Sequence, residues 1–238
     1  MKSNVVGTLL GLALAASTFT SQAAQVTLTG WAFGSGNNVQ ASGPGLLAGS
    51  YNGPAGGFRG TLADAGLFNT SSFLTYCIEL EESFYFSTAA MTGYSIVGGS
   101  SYFEARRLLN SSRPDGATVA ERLGQLVSWA GADSRRVDSA AESTAMQLAV
   151  WNIVYDNDWS ATASTSAARF TDLSSYAAAA TQMLQAASTT TNRYDVYAVT
   201  RPGKQDFLVT SLRVPEPGSV ALVGAALAGL LLARRRRA

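Results

Sequence analysis

The feature that most constrains this chain is the apolar run near its C-terminus. Pro215 and Pro217 fix their φ angles on either side of Glu216, which makes the peptide before the run stiff. About 16 uncharged residues follow, 218–233, and a helix of that length spans roughly 24 Å, slightly short of a hydrocarbon core of about 30 Å. The run ends in four arginines that can snorkel to the interface, Arg234, Arg235, Arg236 and Arg237. We expect a transmembrane helix at about 218–233 with a cytoplasmic basic stop, outside the globular fold.

The whole tail, 213–238, resembles the PEP-CTERM sorting signal of Gram-negative bacteria. The motif residues are Val214, Pro215, Glu216 and Pro217. The resemblance implies recognition by an exosortase, a membrane-embedded cysteine transpeptidase that removes the helix during export or surface anchoring. It therefore implies a precursor anchored in the inner membrane and a product at the cell surface or outside the cell. It implies nothing about the fold of the other residues.

The N-terminus is typical of a secretory signal peptide. Lys2 precedes an uncharged run, and Ser21 and Ala23 are small residues at the −3 and −1 positions of a cleavage site. We expect a signal peptide over 1–23 with cleavage after Ala23, or else after Ala24. The remaining exported region, 24–212, is long enough for one domain with a hydrophobic core.

Composition excludes several kinds of site in this region. The chain has no histidine and one cysteine, which excludes Ser-His-Asp and Cys-His catalysis, histidine metal sites and cysteine clusters. There is no Asp-rich loop with EF-hand spacing, and we expect no metal and no cofactor. No basic patch alternates with aromatic residues, so nucleic acid is not an expected partner. A hydrolase using Glu79, Glu81 or Asp156 is a third function class, for which the sequence gives no paired-carboxylate geometry.

The order of secondary structure predicts an α+β fold. Alternating apolar residues predict strands at 25–31, 73–80 and 94–97, whereas the Gly- and Pro-rich stretch 34–60 predicts loop with one short strand at most. Helical spacing predicts helices at 102–110, 118–130, 139–155 and 174–187, and two further strands follow at 194–200 and 206–213. Strands, then helices, then strands indicate one compact domain of antiparallel strands with a central group of helices.

Cys77 lies on the strand 73–80. The alternation there places Leu74, Tyr76, Ile78 and Leu80 on an apolar face and Thr75, Cys77 and Glu79 on the other. A single cysteine in an oxidising compartment has no disulfide partner in its own chain. It is therefore a buried inert thiol, a partner in an intermolecular disulfide, or a partner in some other covalent bond.

Gln147 is the second unusual residue. On the helix 139–155 it shares a face with Val150, Trp151 and Val154. A buried amide without partners costs about 1–3 kcal/mol. Gln147 must therefore hydrogen-bond to backbone, or lose its amide by condensing with a thiol.

The region 73–156 resembles the thioester domains of bacterial surface adhesins. The matching residues are an aromatic-Cys-aliphatic strand motif, Tyr76-Cys77-Ile78, and a helix motif that contains Gln147, Ala149 and Trp151. The resemblance implies an internal thioester between the Cys77 sulfur and the Gln147 side-chain carbonyl, formed with loss of ammonia. Such a bond can acylate an amine or a hydroxyl. The chain departs from the family pattern at Met146, where the pattern has threonine.

These features together predict an exosortase-sorted surface or extracellular-matrix protein that attaches covalently through a Cys77–Gln147 thioester. Its targets would be nucleophiles on extracellular polysaccharide or protein. The reaction would be used once without turnover, so we do not expect an enzyme. The alternative is a non-covalent structural or binding component of the exopolysaccharide or biofilm matrix in which Cys77 is unlinked.

Overall fold

The computed structural model of the chain describes residues 23–43, 50–106, 117–156, 158–162 and 170–213. The expected sorting helix at about 218–233, its arginine cluster and all of the expected signal peptide except Ala23 lie outside these ranges. Among the described residues, no helix is both long enough and apolar enough to cross a membrane. The described part is a mixed fold of strands and helices in which sheet predominates.

Six antiparallel strands form the main sheet, in the order β5-β4-β1-β6-β8-β9. Their bounds are β1 Ala24–Trp31, β4 Phe58–Ala63, β5 Thr70–Thr75, β6 Met91–Gly98, β8 Tyr194–Arg201 and β9 Lys204–Leu212. The chain beyond β5 then reaches the opposite edge. The Leu208 amide donates to the Tyr76 carbonyl at 3.0 Å, and the Ile78 amide donates to the Asp206 carbonyl at 3.0 Å. The two outer strands of the sheet therefore meet, and the sheet is nearly closed into a barrel.

A smaller sheet has the order β3-β2-β7. Its strands are β2 Asn37–Ser42, β3 Tyr51–Ala55 and β7 Thr171–Asp172. The prediction of loop for 34–60 is wrong, because β2, β3 and the start of β4 all lie in that stretch. Tyr51 pairs with Ala41 and Ala55 pairs with Asn37 across β2 and β3, and such pairings between distant residues override weak local preferences.

Four helices pack beside the sheets: α1 Gly99–Arg106, α2 Val119–Gly131, α3 Ala140–Tyr155 and α4 Ala177–Ser188. Helix α2 contacts β8, α3 and α4, while α3 also contacts β2 and β3. Every residue of α3 from Ser143 to Tyr155 is buried, so α3 is the central helix of the group. The prediction of antiparallel strands with a central group of helices is confirmed in this coarse form.

The predicted strand 73–80 is only partly correct. Strand β5 ends at Thr75, and the following residues are joined to β9 through one bridge between Cys77 and Phe207. The predicted apolar face is also wrong, since Leu74 is 47% exposed whereas Thr75 and Glu79 are buried. The cause is that 76–80 is covered on one side by α3 and on the other by the sheet, so alternation no longer separates core from solvent.

Candidate functional site

Helix α3 begins at a capping box formed by Ser139 and Glu142. The Ser139 hydroxyl accepts from the Glu142 amide, and the Glu142 carboxylate accepts from the Ser139 amide at 3.1 Å. These bonds satisfy amides at the helix start that have no partner within the helix. Ser139 is therefore the N-cap of α3.

The first turns of α3 are fastened to the strands beside them. The Thr144 hydroxyl donates to the Ala55 carbonyl at 2.8 Å and accepts from the Asn37 amide. The Ser143 hydroxyl accepts from the Gly57 amide at 2.8 Å. Both hydroxyls are buried, so these bonds fix the depth and the rotation of α3 against β2 and β3.

One face of α3 holds the extended segment 76–80. The Cys77 amide donates to Gln147 Oε1 at 2.9 Å, and Gln147 Nε2 donates to the Cys77 carbonyl at 2.8 Å. Two turns further along, the Tyr155 hydroxyl accepts from the Leu80 amide at 3.1 Å. These contacts lie eight residues apart on α3 and three residues apart on the segment, so the helix fastens the segment at two points.

The two residues that the sequence singles out are therefore in contact, and both are buried. Because a C=O bond is about 1.2 Å long, the Gln147 Cδ atom lies within about 4 Å of the Cys77 nitrogen. Cys77 is a free thiol, and burial raises its pKa well above the usual range. A buried thiol of this kind is poorly placed for an intermolecular disulfide.

Cys77 and Gln147 line a cavity of about 310 Å³. Half of its other lining residues are aromatic: Trp31, Tyr51, Phe58, Phe84, Tyr85, Phe86 and Trp151. Burial and then the nearby Cys77 raise the pKa of Tyr51 to about 12, which keeps its hydroxyl neutral at physiological pH. The cavity thus combines an aromatic wall with one thiol, the amides of Gln147 and Gln205, and two carboxylates at its edge.

Segment 79–90 covers this cavity without forming a helix or strand. Phe84 packs on Phe58 and Phe207 with ring centroids 4.8 and 5.4 Å apart, and Phe86 packs edge-on against Trp31 at 5.5 Å. Tyr85, between them, is 85% exposed. The segment is therefore held by the ring contacts of Phe84 and Phe86, although Phe86 is itself 41% exposed, and the intervening tyrosine faces solvent.

Three carboxylates meet at the edge of the cavity, namely Glu79, Glu82 and Asp206, with oxygens within 4.8 Å of one another, and the first two line the cavity. The Tyr102 hydroxyl donates to Asp206 at 2.6 Å and lies 3.5 Å from a Glu79 oxygen. Oxygen ligands of this kind suit Ca²⁺ or Mg²⁺, although Asp206 is already hydrogen-bonded to several donors of β8 and α1. Glu79 is buried, at 6% exposure.

The supporting residues of the thioester motif are divided between two places. Trp151 lines the cavity with Cys77, whereas Tyr76 and Met146 line a separate cavity of about 380 Å³ on the other side of the segment. Ala149 is fully buried. The carboxylates proposed for a hydrolase do not converge on one place: Glu79 lies at the edge of the cavity, Glu81 is exposed, and the Asp156 carboxylate accepts from the Phe170 amide at 2.7 Å.

Sequence reasoning missed most of the cavity wall. Trp31, Tyr51 and Gln205 come from three different strands or strand ends, and only the tertiary fold brings them to Cys77. Phe84 and Phe86 also line the cavity and make the aromatic contacts described above. Their spacing of two residues is the one local signal that both could face inward from an extended segment.

Comparison with known proteins identifies a PEP-CTERM protein-sorting motif at residues 213–237. No curated protein matches the chain. Among solved structures, the chain is similar to the N-terminal domain of the Streptococcus pyogenes pilus tip adhesin Cpa, with 14% identity and a TM-score of 0.41. That similarity covers 74% of this chain and 94% of the adhesin chain. No conclusion about fold or function follows from a similarity at this level.

The sorting motif bears on the export and processing of the protein. It implies an exported protein that is anchored in the membrane before processing and is then processed by an exosortase. The prediction of an exosortase-targeted surface protein is confirmed at this level.

Proposed function

We propose that the exported domain attaches covalently to its target through an internal thioester between Cys77 and Gln147. The observation that carries this proposal is the pair of hydrogen bonds between the Gln147 amide and the Cys77 peptide, at 2.9 and 2.8 Å. They hold the only thiol of the chain next to a buried primary amide, which is the pair of groups the reaction requires.

The chemistry balances without any cofactor. The Cys77 sulfur attacks Gln147 Cδ, the bond from Cδ to Nε2 breaks, and ammonia leaves with the thiol proton. No electron is lost or gained. A target amine or hydroxyl later attacks the same carbon, and Cys77 is released as a thiol while Gln147 becomes a substituted amide or an ester.

The surroundings favour a long-lived thioester. Both residues are buried, and seven aromatic side chains line the cavity around them, so access of water to the acyl carbon is restricted. The Cys77 amide already donates to the oxygen on which negative charge would develop during attack. The reaction is used once, so the protein is not proposed to be an enzyme.

The alternative is a non-covalent structural or binding component of the extracellular matrix. The observation in its favour is that both polar atoms of the Gln147 amide already have a backbone partner, which satisfies the buried amide without any covalent bond. In that case Gln147 fastens the segment 76–80 to α3, and the aromatic cavity binds a target without a covalent bond.

Intact mass distinguishes the two functions. We expect the processed protein, exported by a Gram-negative host that has an exosortase, to be lighter than its sequence by one ammonia, about 17 Da. Methylamine should then add its own mass and release one thiol for alkylation. An unmodified mass in freshly exported protein, with one thiol alkylated after unfolding, would contradict the thioester and favour the alternative.

The matched control is Cys77→Ala. This variant keeps the backbone N–H and C=O groups that hold Gln147, so it should fold, yet it cannot form the bond. We expect it to have the unmodified mass and to gain nothing from methylamine. A loss of 17 Da that persists in Cys77→Ala would show that the change arises elsewhere in the chain.

A further inference from the structure

One buried donor in the cavity has no acceptor. Trp151 is 3% exposed, and its indole Nε1 is shielded from solvent without a hydrogen-bond partner among the described residues. Most buried polar atoms are hydrogen-bonded, so an exception calls for a physical reason. Trp151 lines the same cavity as Cys77 and Gln147, where formation of the proposed thioester would provide an acyl oxygen as acceptor.

Trp151 is also well placed relative to the acyl group. It follows Gln147 by four residues in α3, so the two side chains are neighbours on one helix face, with about 5–6 Å between their Cβ atoms. The Tyr51 ring lies edge-on to the indole at a centroid distance of 5.2 Å. This contact and the burial restrict the orientation of the indole.

We infer that the Trp151 indole N–H donates a hydrogen bond to the acyl oxygen of Gln147 in the thioester and in the tetrahedral intermediates of its formation and aminolysis. This inference rests on the proposed thioester. The Cys77 amide, 2.9 Å from the same oxygen, is the first donor, and Trp151 is the second. The two would together form an oxyanion hole.

The role follows from where charge develops. When sulfur or an amine attacks Gln147 Cδ, the electron pair of the C=O bond moves to oxygen, and it returns when ammonia or the Cys77 sulfur departs. A thioester oxygen is a weak acceptor, whereas the tetrahedral oxyanion is a strong one, so a donor gains most in the transition state. Removal of one such donor in other enzymes slows the reaction by about 10²–10³-fold.

The test uses two replacements that remove the N–H group and keep an aromatic side chain. Trp151→Phe is the simple variant, and incorporation of β-(3-benzothienyl)alanine at position 151 keeps the bicyclic shape with sulfur in place of N–H. Both are made in the full chain and purified after export. Methylamine aminolysis is followed by intact mass, and the thioester carbonyl stretch is measured by infrared spectroscopy with ¹³C-labelled glutamine.

We expect both variants to fold and to react with methylamine about 10²–10³-fold more slowly than the wild type. We also expect the carbonyl band to move to higher wavenumber, because a hydrogen bond to that oxygen is lost. A folded variant that forms no thioester at all supports the same role in formation. Trp129→Phe is the control, since that indole lies on α2 beneath Arg136 and outside the cavity.

Two results would overturn the inference while leaving the thioester intact. One is aminolysis at the wild-type rate in both variants. The other is slower aminolysis with an unshifted carbonyl band, which would mean that Trp151 acts through packing alone. A wild-type protein that lacks the mass loss would instead overturn the thioester, and this inference with it.

Discussion

At the scale of single residues, the Gln147 side chain holds the Cys77 peptide against α3. Its amide replaces the strand partner that the Cys77 peptide lacks on that side, because both amide atoms bond to backbone as a neighbouring strand would. The need for a partner could be predicted from a glutamine on an apolar helix stripe. The identity of the partner could not, since Cys77 lies 70 residues away and α3 meets it through the tertiary fold.

Removing the Gln147 amide should destabilise the fold whether or not a thioester forms. In Gln147→Ala, the buried Cys77 N–H and C=O groups lose their partners, and each unsatisfied group costs about 1–3 kcal/mol. We expect the free energy of unfolding to fall by roughly 2–6 kcal/mol, measured by urea denaturation in a Cys77→Ala background that excludes the covalent bond.

The control for this variant is Gln185→Ala, an exposed glutamine on α4. Its effect should stay within about 0.5 kcal/mol, as is usual for surface substitutions. Equal stability of the two variants would mean that the Cys77 peptide finds other partners.

At the scale of elements, the helices were easier to predict than the strands around the site. The starts of α2 and α3 are encoded within four residues each, through capping boxes of Thr118 with Glu121 and Ser139 with Glu142. Strands β2 and β3 have no such local signal, because Gly53 and Pro54 lie within β3 and only pairing with β2 makes it a strand.

Segment 79–90 should respond to pH through Glu82. Partial burial, then Asp206 and then Glu81 raise the pKa of Glu82 above its usual range, whereas the Gly203 backbone and Lys204 oppose the shift. A raised pKa means that folding favours the protonated form, so this stability is present at acid pH and is lost as the pH rises through the folded pKa. We expect Glu82→Gln to raise the melting temperature at pH 7 and to change it little at pH 4.

Glu104→Gln, an exposed substitution on α1, is the matched control and should shift the melting temperature equally little at both pH values. A Glu82→Gln variant that is no more stable at pH 7 would contradict the prediction. It would indicate that Lys204 and the Gly203 backbone offset the repulsion of Glu82 by Asp206 and Glu81.

At the scale of the whole molecule, closure of the main sheet decides where the site lies. The contacts between 76–78 and β9 join the two outer strands, and the Thr75 hydroxyl adds a bond of 2.7 Å to the Leu208 carbonyl. Closure could not be predicted from the sequence, because only one bridge and a few hydrogen bonds define it, and they join residues about 130 positions apart.

Hydrogen exchange can test this closure directly. We expect the Ile78 and Leu208 amides to exchange as slowly as the other amides of β8 and β9. Each donates a hydrogen bond of 3.0 Å across the contact between residues 76–78 and β9. Thr75→Val should lower the free energy of unfolding by about 1 kcal/mol and speed exchange at Leu208.

Thr29→Val removes a similar hydroxyl-to-carbonyl bond, to Arg59 at an exposed position, and should leave Ile78 and Leu208 protected. Rapid exchange of these two amides in the unmodified protein would mean that the sheet is open in solution.

Arg213, which directly follows β9, fixes how close the sorting motif lies to the folded domain. Arg213 is bonded through its amide to the Arg193 carbonyl and through its side chain to Asp195, and the sorting motif begins at the same residue. The four residues 214–217 can reach at most about 14 Å even when fully extended. An enzyme that processes the motif must therefore meet the folded domain within about 14 Å of these residues, so the bulk of that domain limits how closely the enzyme can approach its recognition sequence.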